Sequence, residues 1–216
     1  VIRGLIFDLD GTLVDSLPGI TGSLNRALQA HGLPTHSPAA VRGFIGNGSR
    51  MLITRAALPH TETALLDVIE QSFKEDYDRT WAEGTIPYPG IDEMLKELQA
   101  AGHRLAVLSN KPHPFTAAIV AQLFAGISFD HVQGQEPGIP HKPDPLGAVL
   151  TIQKMGIHAK DCAFIGDSTI DLETAHRAGV QSVAVTWGYH DLKHLVAGKP
   201  GAIAATPAEV TASLLG

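Results

Sequence analysis

The sequence predicts an α/β fold in which a parallel sheet is interrupted, after its first strand, by a helical insertion. Three observations carry that prediction. Aliphatic runs at residues 5–7, 104–108, 162–165 and 182–185 have the length and composition of buried strands. Helix-like segments at 91–101, 145–155 and 171–178 precede the last three runs, with Gly102, Gly156 and Gly179 where a C-terminal cap belongs. Residues 15–85 carry helical periodicity, as in Leu24, Ala27 and Leu28 and then Leu65, Leu66, Ile69 and Phe73, but no clear strand.

In chain order, the first strand ends on Leu5-Ile6-Phe7 and runs straight into Asp8-Leu9-Asp10-Gly11-Thr12. The insertion follows, and Tyr88-Pro89-Gly90 marks the return to the core. The boundaries expected are a core of residues 1–14 and 86–216 and a helical domain of residues 15–85. Strands alternating with helices of this length then argue for a parallel sheet. After Lys199 an edge strand is expected at 202–204, with a closing helix opened by Thr206-Pro207. No internal repeat or low-complexity tract is visible.

Composition narrows the function classes. A chain of 216 residues, 44% hydrophobic and 18% charged, can bury a substantial core. A net charge of -6 without a basic stripe argues against a nucleic-acid partner. An anionic substrate would therefore be drawn in locally, by a metal and a few cations. The single cysteine, Cys162, excludes an internal disulfide and a cysteine metal cage, and its apolar run reads as inert core. His190 and His194 stand four apart, yet without a neighbouring glutamate or cysteines they make a poor zinc site. No apolar run approaches the roughly 20 residues of a membrane span, and no leader-like segment precedes the first strand. A cytoplasmic protein is expected, with no membrane partner.

Ligands of such sheets bind beyond the carboxyl ends of the strands. Four clusters fall there. Asp8 and Asp10, two apart in an extended chain, can enter one pocket, with Gly11 permitting a sharp turn and Thr12 adding a hydroxyl. Leu108-Ser109-Asn110-Lys111 ends a strand with a hydroxyl and backbone N–H groups suited to an oxyanion. Lys142 sits in a rigid turn, His141-Lys142-Pro143-Asp144-Pro145. Gly166-Asp167-Ser168-Thr169-Ile170-Asp171 adds two acids, Asp167 at the mouth of a helix and Asp171 about one turn in. Four converging carboxylates repel unless a cation lies among them, and magnesium prefers such oxygen donors. Alone, each cluster reads equally well as a turn or a helix cap; in this order, each at a strand end, they do not.

These four clusters resemble the ordered motifs of the haloacid dehalogenase superfamily of phosphotransferases. The resemblance implies a Rossmann-like doubly wound core with a small α-helical cap inserted after the first strand. Ile45-Gly46-Asn47-Gly48, Asn110-Lys111-Pro112 and Trp187-Gly188-Tyr189 are similar, more narrowly, to phosphoglycolate phosphatases. By that resemblance Asp8 is the nucleophile and Asp10 the general acid and base. Mg2+ is held by Asp8, the Asp10 carbonyl and Asp167. Asp171 orients a metal water or Lys142, and Thr12, Ser109, Asn110 and Lys142 hold the phosphoryl group. In the cap, Gly46, Asn47, Gly48 and Arg55 are the candidates for reading the leaving group.

The function expected is hydrolysis of a small anionic phosphate ester, 2-phosphoglycolate above others, by a monomer or homodimer. Asp10 argues against a dehalogenase, and Ile20, where related mutases carry a histidine, argues against a phosphosugar mutase. A broader small-molecule phosphatase and a non-catalytic phosphometabolite binder are the alternatives.

Overall fold

The computed structural model describes residues 1–215. Two compact units emerge, one made of Val1–Val14 and Pro87–Gly216, the other of Asp15–Ile86. The chain starts with β1 (Gly4–Phe7) and β2 (Val14–Asp15), then runs through α1 (Leu17–Ala30), α2 (Pro38–Arg42), α3 (Gly48–Ala56) and α4 (Thr63–Thr80) to β3 (Ile86–Pro87). It continues as α5 (Ile91–Ala100), β4 (Arg104–Pro112), α6 (His113–Leu123), β5 (His131–Gln135), α7 (Leu146–Met155) and β6 (Cys162–Gly166). It ends with α8 (Thr169–Ala178), β7 (Gln181–Val185), α9 (Leu192–Ala197), β8 (Ala202–Ala204) and α10 (Pro207–Leu215).

The first unit is an α/β layer structure. Its six-stranded sheet has the order β5-β4-β1-β6-β7-β8, every pairing parallel. The chain fills one side of β1, reaching β5, and then returns to fill the other. That reversal opens a crevice beyond the carboxyl end of β1, the usual ligand position in doubly wound sheets. Register makes the crevice specific. Phe7 stands level with Val107 on one side and Ile165 on the other, so Asp8, Ser109 and Asp167 emerge side by side just beyond.

Helices cover both faces, which is why the strands read as unbroken aliphatic runs and not as alternating ones. Leu5, Ile6 and Phe7 are wholly buried. Ile152 and Met155 of α7 and Ala175 of α8 pack with Ile6, Ala106 and Phe164 in one cluster, and Cys162 joins it as the unpaired, buried thiol expected.

The second unit is helical. Ile20, Leu24, Ala27 and Leu28 form the buried stripe of α1, and Ile69, Phe73 and Tyr77 that of α4, at the spacing of one helix face. Phe73 and Tyr77 stack with ring centroids 5.6 Å apart, and Arg26 Nη2 pairs with Asp76 Oδ2 at 2.6 Å. No helix among the described residues is long and apolar enough to cross a membrane.

Two elements depart from the sequence reading. β4 runs on to Pro112 through an irregular register between Leu108 and Pro112. Ser109, Asn110 and Lys111 lie at the end of the strand, as the sequence predicts, but the strand carries on past the aliphatic run 104–108 and buries them. The strand β5 was not expected, because its sequence HVQGQ offers no aliphatic run; it is an edge strand whose pairing to β4, and not its composition, makes it a strand.

Candidate active site

Asp8 takes its place from the sheet. Its backbone N–H donates to the Ile165 carbonyl at 2.9 Å, carrying the β1–β6 ladder one residue past the strand. The chain then folds back tightly: Gly11 adopts φ 88°, and its N–H donates to the Val14 carbonyl at 2.9 Å. A side chain at Gly11 would place its Cβ 2.4 Å from Asp167 Oδ2, so both the turn and the neighbouring acid require glycine there.

Lys142 is fixed from two directions. The Asn110 side chain clasps its backbone, Oδ1 accepting from the Lys142 N–H at 2.7 Å and Nδ2 donating to the Lys142 carbonyl at 3.0 Å. From there the side chain lies 5.3 Å above the Phe164 ring, and Nζ donates to Asp8 Oδ1 at 2.8 Å and Asp171 Oδ1 at 2.6 Å. The Asn110 side chain therefore positions Lys142, a task its sequence position does not announce.

Asp171 serves a second purpose. Its Oδ2 accepts from the Ser168 backbone N–H and hydroxyl, while Ser168 Oγ accepts from the Asp171 N–H, a capping box that opens α8. Starting the helix at Thr169 points Asp167 into the crevice from just before its first turn. Asp167 Oδ1 accepts from the Thr12 hydroxyl at 3.2 Å, and Oδ2 from the Tyr189 backbone N–H at 2.6 Å. Trp187 Nε1 closes the same side by donating to the Thr12 carbonyl at 3.0 Å. Between those two residues, a Cβ at Gly188 would fall 2.3 Å from both Asp167 Cβ and the Gly11 carbonyl. The Trp187-Gly188-Tyr189 segment is thus the wall behind Asp167.

Asp8, Asp167 and Asp171 are all buried and bring one oxygen each within 4.8 Å of one another. Burial, reinforced by the Asp171 charge, pushes Asp8 up to about 7 against the pull of Lys142. Burial and the charges of Asp171 and Asp8 likewise hold Asp167 well above the usual carboxylate range. For Lys142, burial favours loss of the proton, but Asp171 and Asp8 overcome it and its pKa rises. One ammonium among three buried carboxylates leaves a negative surplus. All the donors in the group are hard oxygens, which fits a divalent cation of the magnesium type and not a thiolate- or imidazole-seeking metal.

Asp10 has a different partner. Both of its carboxylate oxygens accept from Lys111 Nζ at 3.0 Å. Nothing in the local sequence around Lys111 announces this pairing, which joins residues 101 positions apart. Ser109 is buried at the end of β4, where its Oγ accepts from the Lys111 N–H at 3.2 Å. In the helical unit, the candidate residues of the cap also lie together: Arg55 donates to the Phe44 carbonyl at 2.9 Å and to Asn47 Oδ1 at 2.7 Å. Gly46 and Gly48, both at positive φ, flank Asn47 in that loop.

Residues 5–185 match the family model for haloacid dehalogenase-like hydrolases. The chain is 36% identical over 192 residues to a phosphoglycolate phosphatase of Pectobacterium atrosepticum, covering 88% of this chain and 82% of that protein. It is 35% identical over 192 residues to the phosphoglycolate phosphatase of Yersinia pseudotuberculosis, covering 88% and 83%. Among solved structures, a predicted phosphoglycolate phosphatase from Haemophilus somnus superposes with a TM-score of 0.92 at 31% identity, covering 98% of this chain and 97% of that one.

Proposed function

The chain belongs to the haloacid dehalogenase-like hydrolases, and from that premise we propose that it is a magnesium-dependent phosphatase hydrolysing 2-phosphoglycolate through a phosphoryl group carried on Asp8. The observation that carries the reading is the buried Asp8 carboxylate at the switch point of the sheet, 2.8 Å from the ammonium of Lys142 and grouped with Asp167 and Asp171. The names of the relatives support the substrate.

An Asp8 oxygen attacks phosphorus, forming a P–O bond to the carboxylate as the bond to the leaving oxygen breaks. Asp10 delivers its proton to that oxygen, and the alcohol departs. Asp10 then takes a proton from water as the water oxygen attacks phosphorus, which frees the Asp8 carboxylate and inorganic phosphate. Lys142, with the hydroxyl of Ser109, offsets the charge spread over the phosphoryl oxygens in both steps. Thr12 and Asn110 act from behind, the first on Asp167 and the second on Lys142. The Asp8 and Asp167 carboxylates with the Asp10 carbonyl would hold Mg2+, which when bound supplies positive charge for the phosphoryl group. We assign leaving-group recognition to the Gly46-Asn47-Gly48 loop, which Arg55 braces.

Phosphate release from 2-phosphoglycolate, measured beside a panel of other small phosphate esters with Mg2+ and again with EDTA, tests this. The expected result is a preference for 2-phosphoglycolate that EDTA abolishes, with Asp8→Asn folded but inactive. Turnover by Asp8→Asn at the native rate rules the mechanism out. Metal-dependent turnover without that preference keeps the chemistry and discards the substrate.

A further inference from the structure

We propose that Lys111 is a positioning residue that aims the Asp10 carboxylate at the leaving-group oxygen; this rests on the assignment of Asp10 as the proton-transfer group. The contact is a symmetric one. Lys111 Nζ stands 3.0 Å from Oδ1 and 3.0 Å from Oδ2 of Asp10, and the two side chains are only 6% and 12% exposed. A charge-assisted pair made to both oxygens fixes the plane of the carboxylate as well as its distance, which a single hydrogen bond does not.

The Lys111 backbone is itself tied down. Its N–H donates to Ser109 Oγ at 3.2 Å and its carbonyl accepts from Thr116 Oγ1 at 3.2 Å. The first of these ties Lys111 to a proposed phosphate-binding residue, and the second to α6, whose Thr116 is wholly buried. The register irregularity that ends β4 occurs over these same residues. Strand irregularities of this kind re-aim side chains next to active sites. Asp10, by contrast, lies in the tight turn after β1, where its neighbours Leu9 and Gly11 hold the backbone by their own hydrogen bonds. Its carboxylate has a strand-anchored brace in Lys111.

The site therefore has two lysines with separate tasks. Lys142 pairs with Asp8 and Asp171 on the phosphoryl side, while Lys111 pairs with Asp10 on the side of the departing alcohol. Proton transfer in the transition state demands placement within fractions of an ångström. Loss of the brace should thus be felt most where the leaving group most needs a proton.

The experiment compares kcat/KM on 2-phosphoglycolate, whose alkoxide leaving group must be protonated, with kcat/KM on p-nitrophenyl phosphate, whose phenolate leaves without help. It uses the whole protein with Mg2+ and the variants Lys111→Met, Lys111→Arg and Asp10→Asn. Proton-transfer catalysis contributes about 10²–10⁴-fold, so misaiming it should cut the alkyl ester at least about 10-fold more than the aryl ester. Lys111→Arg, which keeps a cation beside Asp10, should recover part of that ratio. Equal losses on both substrates, or no loss on either, would overturn the proposal and leave Lys111 a structural ion pair. Asp10→Asn separates the two levels of inference. If it discriminates between the esters and Lys111→Met does not, the role of Lys111 alone fails; if Asp10→Asn does not discriminate, the assignment of Asp10 fails with it. Should Lys111→Met not fold, Lys111→Gln, which removes the charge and keeps a polar stem, takes its place under the same criterion.

Discussion

Removing divalent cations should make the protein less stable as pH rises, through Asp8. Burial, with the charge of Asp171, pushes the Asp8 carboxyl from 3.8 to about 7, so the folded state keeps a proton that the unfolded chain releases. The stability linked to this group is greatest below about pH 4 and is lost as pH rises to about 7. At about 1.4 kcal/mol per pKa unit, the part falling between about pH 5.5 and pH 8 is on the order of 2 kcal/mol. For a chain of this size that lowers Tm by about 4–8 °C. Asp167, also raised, adds in the same direction. His103, His131 and His141 oppose it, because burial lowers their pKa values and folding then expels protons at acid pH. The assay is therefore thermal unfolding in EDTA of the native protein beside Asp8→Asn, which keeps the histidines and lacks the titrating carboxylate. The native Tm should fall relative to the variant's between about pH 5.5 and pH 8. Mg2+ should restore stability, more at the higher pH, because it competes with protons for the same oxygens. Parallel pH profiles for the two proteins would refute the reasoning.

Lys142→Met strips the ammonium from Asp8 and Asp171 and leaves buried charge uncompensated, a loss of about 3–5 kcal/mol that Tm in EDTA at neutral pH should register. Adding Asp171→Asn should recover part of that stability, though not activity, and a double variant no more stable than Lys142→Met contradicts the pairing. Gly188→Ala drives a methyl group to within 2.3 Å of the Gly11 carbonyl and Asp167 Cβ, so the wall behind Asp167 must shift. The expected loss is about 1–3 kcal/mol in stability together with weaker Mg2+ affinity by calorimetry, and a variant with native Mg2+ affinity shows that the segment does not set the position of Asp167.

Much of this protein is decided by sequence alone. Both faces of β1, β6 and β7 are buried, so their aliphatic runs stand out without any partner being known, and Gly156 and Gly179 mark helix ends because both caps are left-handed. The acids Asp8 and Asp167 and the cation Lys142 could be singled out because each follows a strand or sits in a turn where a charged side chain has no core to support. What the chain order could not say is which charges share a pair. Lys142 stands 134 residues from Asp8 and Lys111 stands 101 residues from Asp10; the clasp of Asn110 on the Lys142 loop decides the first approach and the register of β4 against β1 the second. The same holds for β5, a polar segment made a strand by its neighbour, and for Asn110, whose side chain is a clasp only because the loop of Lys142 arrives beside it. Local composition fixes which residues prefer a strand, a turn or a cap; pairing across the sheet is a long-range outcome, and it gives Asp8 and Asp10 their two different lysines.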